Sequence, residues 1–401
     1  MLLNASRAQR EMAQRGLDVL LCVAPKNVYY LSDHHSDWMF DVRWTGAAAL
    51  PRTSSDAPPC LFVHDVELTA LAEQPSWMPT LRTWTATVCG ESVPHFSIRE
   101  GSEPDQLERR TLELLAQTSK TARGDLLAAC AAYLREFFPA DAYVGCDDPE
   151  FTAELRAHCP ALRLADARPV LATIRAIKTD AELALMREAA RRNQRALLTA
   201  AAAARPGVSW AEVHRAYRRE AVEQDCRPVS MYVGAGRRSM GLHADERYVI
   251  QAGDQLCFDA MLTYHNYFGD LQRTFVVGEP SSALRDAWAA IGAAAQACYA
   301  HLRPGVNTAQ LRQMALDLVH ARGLGGFRHA FVHGLGLDHI EHPAGRAGFE
   351  PFTLEAGMVV NMDLEFCEIG FGGVYFEDSV IIREDEPERL YSVPRALIPL
   401  A

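Results

Sequence analysis

With 401 residues, 49% of them hydrophobic and 23% charged, the chain has room for two domains that each bury a core, and its composition is globular rather than disordered. A formal net charge of −11 with no Lys/Arg stripe excludes sequence-independent nucleic-acid binding, which needs clustered cations against phosphate. No apolar run approaches eighteen residues, so no membrane partner or span is expected.

MLLNASRAQREMAQRG reads as an amphipathic helix over 5–16 and lacks the apolar stretch of a signal peptide. LDVLLCVA (17–24) follows as a buried strand, interrupted by Asp18 and stopped by Pro25, and TGAAALP and CLFVHD are two more. Helices are expected at 104–118 and 123–138, then the strand AYVGC, a helix near 149–158 and a last strand near 162–170. This alternation predicts an α/β N-terminal domain over 1–168 with a mostly parallel or mixed sheet. Ten cysteines are scattered singly without a C-x-x-C pair, several in apolar runs (Cys22, Cys257, Cys298), which points to reduced thiols in a cytoplasmic protein.

The junction falls near RAIKTDAE, where Thr179 and Glu182 form a capping box that starts a long Ala-rich helix. From there to 401 the chain carries a weak internal repeat. RPGVS (205–209) and RPGVN (303–307) each end one helix and start another, with Ser209 or Asn307 as cap and Glu212 or Gln310 three residues on. Strand-rich segments follow both copies. The expectation is an α+β domain over 169–401 with a pseudo-two-fold axis and a site between its halves.

Carboxylates embedded in strand-like runs mark that site. Asp259 and Asp270 stand in FDAMLTYHNYFGDLQRTF, His333 in HAFVHGLGLDH, Asp363 or Glu365 in GMVVNMDLEF, and Glu377 in GVYFEDSVII. A buried unpaired charge costs several kcal/mol, so acids converging on one core require strong positive charge. Oxygen ligands with one imidazole suit manganese, iron(II), cobalt or zinc, and this many acids suit two divalent ions sharing carboxylates. The turn-like YHNYFG lets the two aspartates face each other across a hairpin, and Gly334 beside His333 permits close backbone approach.

The ordered motifs D-x(10)-D-x-x-R-T, H-x-x-x-H-G-L-G-L-D, G-M-V followed by an acid, and E-D-S-V resemble the pita-bread metallopeptidase family of aminopeptidase P, prolidase and creatinase. Residues 5–31 resemble the start of its creatinase-type N-terminal domain. The resemblance implies Asp259, His333 and Asp363 as terminal ligands, with Asp363 in place of the usual Glu, and Asp270 and Glu377 as bridging ligands. It also matches His243 and His329 to histidines that touch substrate. A homodimer and a C–N hydrolase acting on a small amide or imide, Xaa-Pro dipeptides first, are what it implies.

Two further family positions differ. Where these peptidases carry His-Glu, this chain has Ile340 and Glu341, flanked by His339 and His342, and Tyr375 stands in place of an Arg. Losing hydrogen bonds to charged groups, about 1.5–3 kcal/mol each, predicts weak Xaa-Pro cleavage and better turnover of another small substrate. The alternatives are creatinase- or ectoine-hydrolase-like C–N hydrolysis, dimethylsulfoniopropionate-lyase-like chemistry on a small zwitterion, or a metal-free binding protein. Catalytic candidates are His243, His329, Glu341 (or Asp363 or Glu365 as proton carrier) and Tyr375 as hydrogen-bond donor or acid/base. Substrate-binding candidates are His339, His342, Trp38 and Arg43. The last two read either as a surface cation–π pair or as a loop reaching a partner subunit's site, as in creatinase-like dimers.

Other chemistries lack their motifs. There is no G-x-S-x-G elbow and no H-E-x-x-H, and GAGRRSMG (234–241) lacks the G-x-G-x-x-G spacing of a dinucleotide fold.

Overall fold

A computed structural model describes residues 1–101, 103–243, 245–343 and 349–400. The chain divides into two compact units, Met1–Arg175 and Ala176–Ala401.

The first unit runs α1 (Ala5–Arg15), β1 (Val19–Cys22), α2 (Pro25–Ser32), α3 (Asp37–Asp41), β2 (Gly46–Pro51), β3 (Cys60–His64), α4 (Leu68–Glu73) and β4 (Thr80–Trp84). A short hairpin of β5 (Thr87–Val88) and β6 (Glu91–Ser92), α5 (Gln106–Thr118), α6 (Leu126–Phe137), β7 (Tyr143–Cys146), α7 (Pro149–His158), β8 (Arg163–Asp166) and α8 (Arg168–Ala176) follow, the last straddling the division. Six strands form one mixed sheet in the order β4-β3-β2-β1-β7-β8. β1 and β7 pair in parallel; β1 is fully buried and β7 is buried from Val144 on, as expected when both faces are covered. Helix α2 is an element the sequence reading missed. Pro25 opens it, and buried Asp147, just past β7, accepts from the Val23 N–H at 2.8 Å and the Asn27 Nδ2 at 2.9 Å, so a residue 120 positions away anchors its start.

The second unit begins with α9 (Asp180–Ala203), whose Thr179/Glu182 capping box is present, and continues into α10 (Trp210–Glu223), β9 (Arg227–Ala235), β10 (Gln255–Tyr264) and β11 (Tyr267–Val277). After α11 (Ser282–Tyr299) and α12 (Thr308–His320) come β12 (His329–Gly334), β13 (Val359–Glu368), β14 (Gly372–Phe376), β15 (Ser379–Ile381), β16 (Glu388–Arg389) and β17 (Ile398–Leu400). Two sheets result, β17-β11-β10-β9 and β12-β13-β15-β16 with β14 also on β13. They meet where Gln272 bridges to Glu377.

The repeat predicted from RPGVS and RPGVN is structural down to single hydrogen bonds. Gly207 N–H donates to the Ile250 carbonyl and Gly305 N–H to that of Leu354, both at 2.9 Å. Trp210 N–H donates to Tyr248 and Thr308 N–H to Phe352, again at 2.9 Å. Gly207 and Gly305 hold φ of 88° and 87°, a region closed to most side chains, which is why both copies spell Pro-Gly. Each copy has its own apolar core, one around Trp210, Phe258 and Phe275 and the other around Phe327, Met362 and Phe376. The pseudo-two-fold α+β architecture is therefore built from two helix pairs, each leading into antiparallel strands. Among the described residues no helix is long and apolar enough to cross a membrane.

Candidate metal centre

The β10–β11 hairpin turns at His265 and Asn266, whose φ values of 45° and 65° give the type I′ geometry that suits twisted strands. Its register pairs Asp259 with Gln272 and Asp270 with Met261. The two aspartates are therefore diagonal neighbours on one face, not directly opposed, within reach of a shared ion. On β12, residues 329, 331 and 333 share a face by the period of two, opposite Glu365, Asp363 and Asn361 of β13. Glu377 enters from the end of β14, where the Gln272–Glu377 bridge brings it beside Asp270.

These elements bring the five predicted ligands together. His333 Nε2 lies 3.4 Å from Glu377 Oε1, 3.6 Å from Asp363 Oδ1 and 3.9 Å from Asp270 Oδ2. Ligand atoms of Asp259, Asp270 and Glu377 lie within 4.8 Å of one another, as do those of His333, Asp363 and Glu377, so Glu377 is common to both groups. All five side chains are buried. His333 Nδ1 is 3.0 Å from the Gly334 carbonyl, an acceptor only, which places a proton on Nδ1 and aims Nε2 at the acids.

The electrostatics are those of an uncompensated acid cluster. Burial, then Asp270, pushes the Asp259 carboxyl well up, and burial with Asp270 and Asp363 does the same to Glu377. Burial alone would depress the His333 imidazole, but Asp363 and Asp270 outweigh it and raise it to about 9. Burial also lifts Glu365 to about 7, although Gln272 donates to it at 2.9 Å. Among the described residues, nothing donates a hydrogen bond to buried Asp270 Oδ1, Asp363 Oδ1 or Glu377 Oε2. Orphaned anionic acceptors facing one another are what divalent cations satisfy, so this donor set fits a divalent metal.

Residues the sequence reading passed over hold this set in place. Asn361 Nδ2 donates to Asp270 Oδ2 at 2.9 Å and also to Glu377. Arg273, fully buried, pairs with Asp378 and donates to the Gln272 and Glu377 carbonyls, both at 2.7 Å, clamping the junction between the sheets. Tyr391 OH accepts the Asp270 N–H at 2.7 Å. The R and D of the D-x-x-R-T and E-D-S-V motifs were the available signal for this clamp.

The remaining candidates fall in three places. His339 stands in the centre itself, Nε2 3.0 Å from Asp270 Oδ2, stacked on Phe268. His243 and His329 are exposed, His329 roughly 13 Å along the strand from His333 at ~3.3 Å per residue. The others are engaged elsewhere. Glu341, read as a proton carrier, is ion-paired to Lys178 at 2.7 Å and accepts the Asp338 N–H. His342 turns its Nε2 to the Glu350 carbonyl at 3.1 Å and packs on Phe352. Tyr375 is buried; its hydroxyl accepts the Gly241 N–H at 3.0 Å and meets Cys367 Sγ at 2.7 Å, and burial drives its pKa far up, against a role as acid/base. In the first unit the expected Trp38–Arg43 cation–π pair is corrected: Arg43 sits 4.9 Å over Trp44 and bonds Asp148 and Glu150, while Trp38 packs on His64 and Trp84. Arg43 chose the ring next in sequence because Asp148 and Glu150 fix its guanidinium there.

The sequence model of metallopeptidase family M24 matches residues 184–384, and that of the creatinase/prolidase N-terminal domain matches residues 5–177. The chain belongs to metallopeptidase family M24. Among its M24 relatives, the uncharacterized peptidase YqhT of Bacillus subtilis is 30% identical over 233 residues, covering 57% of this chain and 65% of the relative. The Xaa-Pro dipeptidase of Pyrococcus furiosus is 30% identical over 170 residues, 41% of this chain and 48% of the relative. The chain thus aligns with about half to two thirds of the length of these curated relatives. The solved Xaa-Pro dipeptidase from Bacillus anthracis shares the fold with a TM-score of 0.75 at 20% identity over 99% of both chains. The prolidase from Pyrococcus horikoshii OT3 does so with a TM-score of 0.72 at 20% identity over 98% of this chain and 99% of that one.

Proposed function

We propose that this M24 chain is a metal-dependent dipeptidase that hydrolyses Xaa-Pro dipeptides. The observation carrying the reading is the five-residue donor set with three orphaned buried carboxylate oxygens. Asp259, Asp270, His333, Asp363 and Glu377 would hold two divalent ions, with Asp270 and Glu377 serving both. Bound there, the ions supply an electrophile for the scissile carbonyl and lower the pKa of water toward neutrality. Manganese, iron, cobalt and zinc all suit the donors.

The chain's own groups handle the substrate. His243 and His329, both exposed, orient the dipeptide by hydrogen bonding. Tyr375 acts behind them, its hydroxyl tying down the Gly241 backbone two residues before His243. The loop from Gly334 to Glu341 is held by reciprocal 2.9 Å backbone bonds between those two residues, and a Cβ on Gly334 would meet the Glu341 carbonyl at 2.7 Å. Lys178 and Glu341 therefore serve to position the loop that carries His339.

Relatives named Xaa-Pro dipeptidase support peptide hydrolysis over creatinase-, ectoine-hydrolase- or lyase-like chemistry on a small zwitterion. On this reading Xaa-Pro cleavage is not weakened by Ile340 and Tyr375, the reverse of the expectation drawn from those two positions. A homodimer in the cytoplasm completes the reading; ten unpaired cysteines, eight of them buried, accord with a reducing compartment. The test is an assay of Xaa-Pro dipeptides with chelated and with manganese- or cobalt-loaded protein. Metal-restored turnover with kcat/KM above about 10⁴ per molar per second is expected. Turnover of small zwitterions alone would remove the peptidase reading.

A further inference from the structure

We propose that His339 is itself a metal ligand, binding through Nε2 on the His333 side of the centre. This rests on the two-ion reading above and adds to it a sixth protein donor and an asymmetry between the ions.

The geometry is specific to the ring. Single ligand atoms of Asp270, His333 and His339 lie within 4.8 Å of one another, and His339 Nε2 is already 3.0 Å from Asp270 Oδ2. Two donors bonded to one ion at about 2.0–2.2 Å each sit roughly 3–4 Å apart, so no large movement separates this arrangement from coordination. The imidazole is held in orientation, stacked on Phe268 with centroids 5.8 Å apart and edge-on to His333 at 5.5 Å. Its backbone is held too, because Phe268 N–H donates to the Gly336 carbonyl at 2.9 Å and Glu341 bridges back to Gly334. Asp270 Oδ2 already accepts from Asn361, whereas Asp270 Oδ1 accepts from nothing, so the carboxylate has no shortage of donors on the His339 side. A cation between these groups satisfies all of them.

The consequence is chemical. The ion near His333 gains two imidazoles, while its neighbour is left with the carboxylates Asp259, Asp270 and Glu377. Nitrogen donors favour zinc, cobalt and iron(II), whereas an all-oxygen set suits manganese or magnesium. The two positions therefore differ in affinity and in metal preference.

The experiment is a cobalt(II) titration of chelated protein, with cobalt counted and followed by absorption and X-ray absorption spectroscopy. Wild type is expected to place two imidazoles on the first cobalt. His339→Ala and His339→Gln should place one there and bind it roughly tenfold or more weakly, while both metal-free variants melt with metal-free wild type. A single imidazole in wild type, or first-site affinity within about twofold in both variants, overturns the assignment. Wild type that takes up no cobalt overturns the two-ion reading as well, a result distinct from loss confined to the variants.

Discussion

Arg273 and Asp378 form an ion pair in which neither side chain has any solvent exposure, directly behind the backbone of the metal centre. The pair is tied in on both sides: Arg273 donates to the Gln272 and Glu377 carbonyls, and Asp378 also accepts from Arg389 and Arg395 at 2.7 Å each. Neighbours in sequence to Gln272 and Glu377, these two residues convert a strand junction into a fixed distance between Asp270 and Glu377.

Breaking that pair is expected to be costly. Arg273→Met leaves Asp378 with two partly exposed arginines and frees two buried carbonyls, so a loss of about 3–5 kcal/mol is expected. Urea unfolding, read at both the midpoint and the slope, checks it. A loss under about 1 kcal/mol would show that Arg389 and Arg395 alone hold the junction.

Metal should stabilise the second unit measurably. A ligand bound only by the folded state adds about 2.7 kcal/mol at a hundredfold excess over Kd. Manganese, cobalt or zinc should therefore raise the melting temperature of chelated protein, and Asp270→Asn should abolish the rise without lowering the metal-free melting point. An equal rise in that variant would mean that the ions bind elsewhere.

The proposed fourth ligand, Asp363, makes a separate prediction. Asp363 sits with His333 and Glu377, whereas Glu365 on the same face is hydrogen-bonded by Gln272. Asp363→Ala should weaken metal binding at least about tenfold, and Glu365→Ala much less, by calorimetric titration. The reverse order would put Glu365 in the centre and Asp363 behind it.

Glu182 should leave a mark on the pH dependence of stability. Burial raises its carboxyl from the ordinary range to about 7, despite Lys178 and hydrogen bonds from Thr179 and Tyr267. The folded state then holds a proton that the unfolded chain releases near 4.5. Stability from this group is present below about 4.5 and falls as pH rises to about 7, by at most about 1.4 kcal/mol per unit. Glu182→Gln should flatten that slope in denaturant titrations between those limits; an unchanged slope would assign it to other groups.

Much of this was readable in the residues alone, for physical reasons. Capping boxes at Thr179 and Asn307 and the paired Pro-Gly turns are local devices, in which donor, acceptor and φ lie within a few positions, so spacing is enough to find them. The candidate ligand acids were legible because a carboxylate inside an apolar strand needs a reason to be there. What spacing could not supply was the direction of side chains across long-range pairings. Strand register made Asp259 and Asp270 diagonal rather than opposed. A loop closed between Gly334 and Glu341 sent His339 into the centre and its neighbours Glu341 and His342 away from it, to Lys178 and the Glu350 carbonyl. The Arg273–Asp378 clamp joins residues 105 positions apart, and only the meeting of two sheets, each a copy of the same helix-pair unit, brought them into contact.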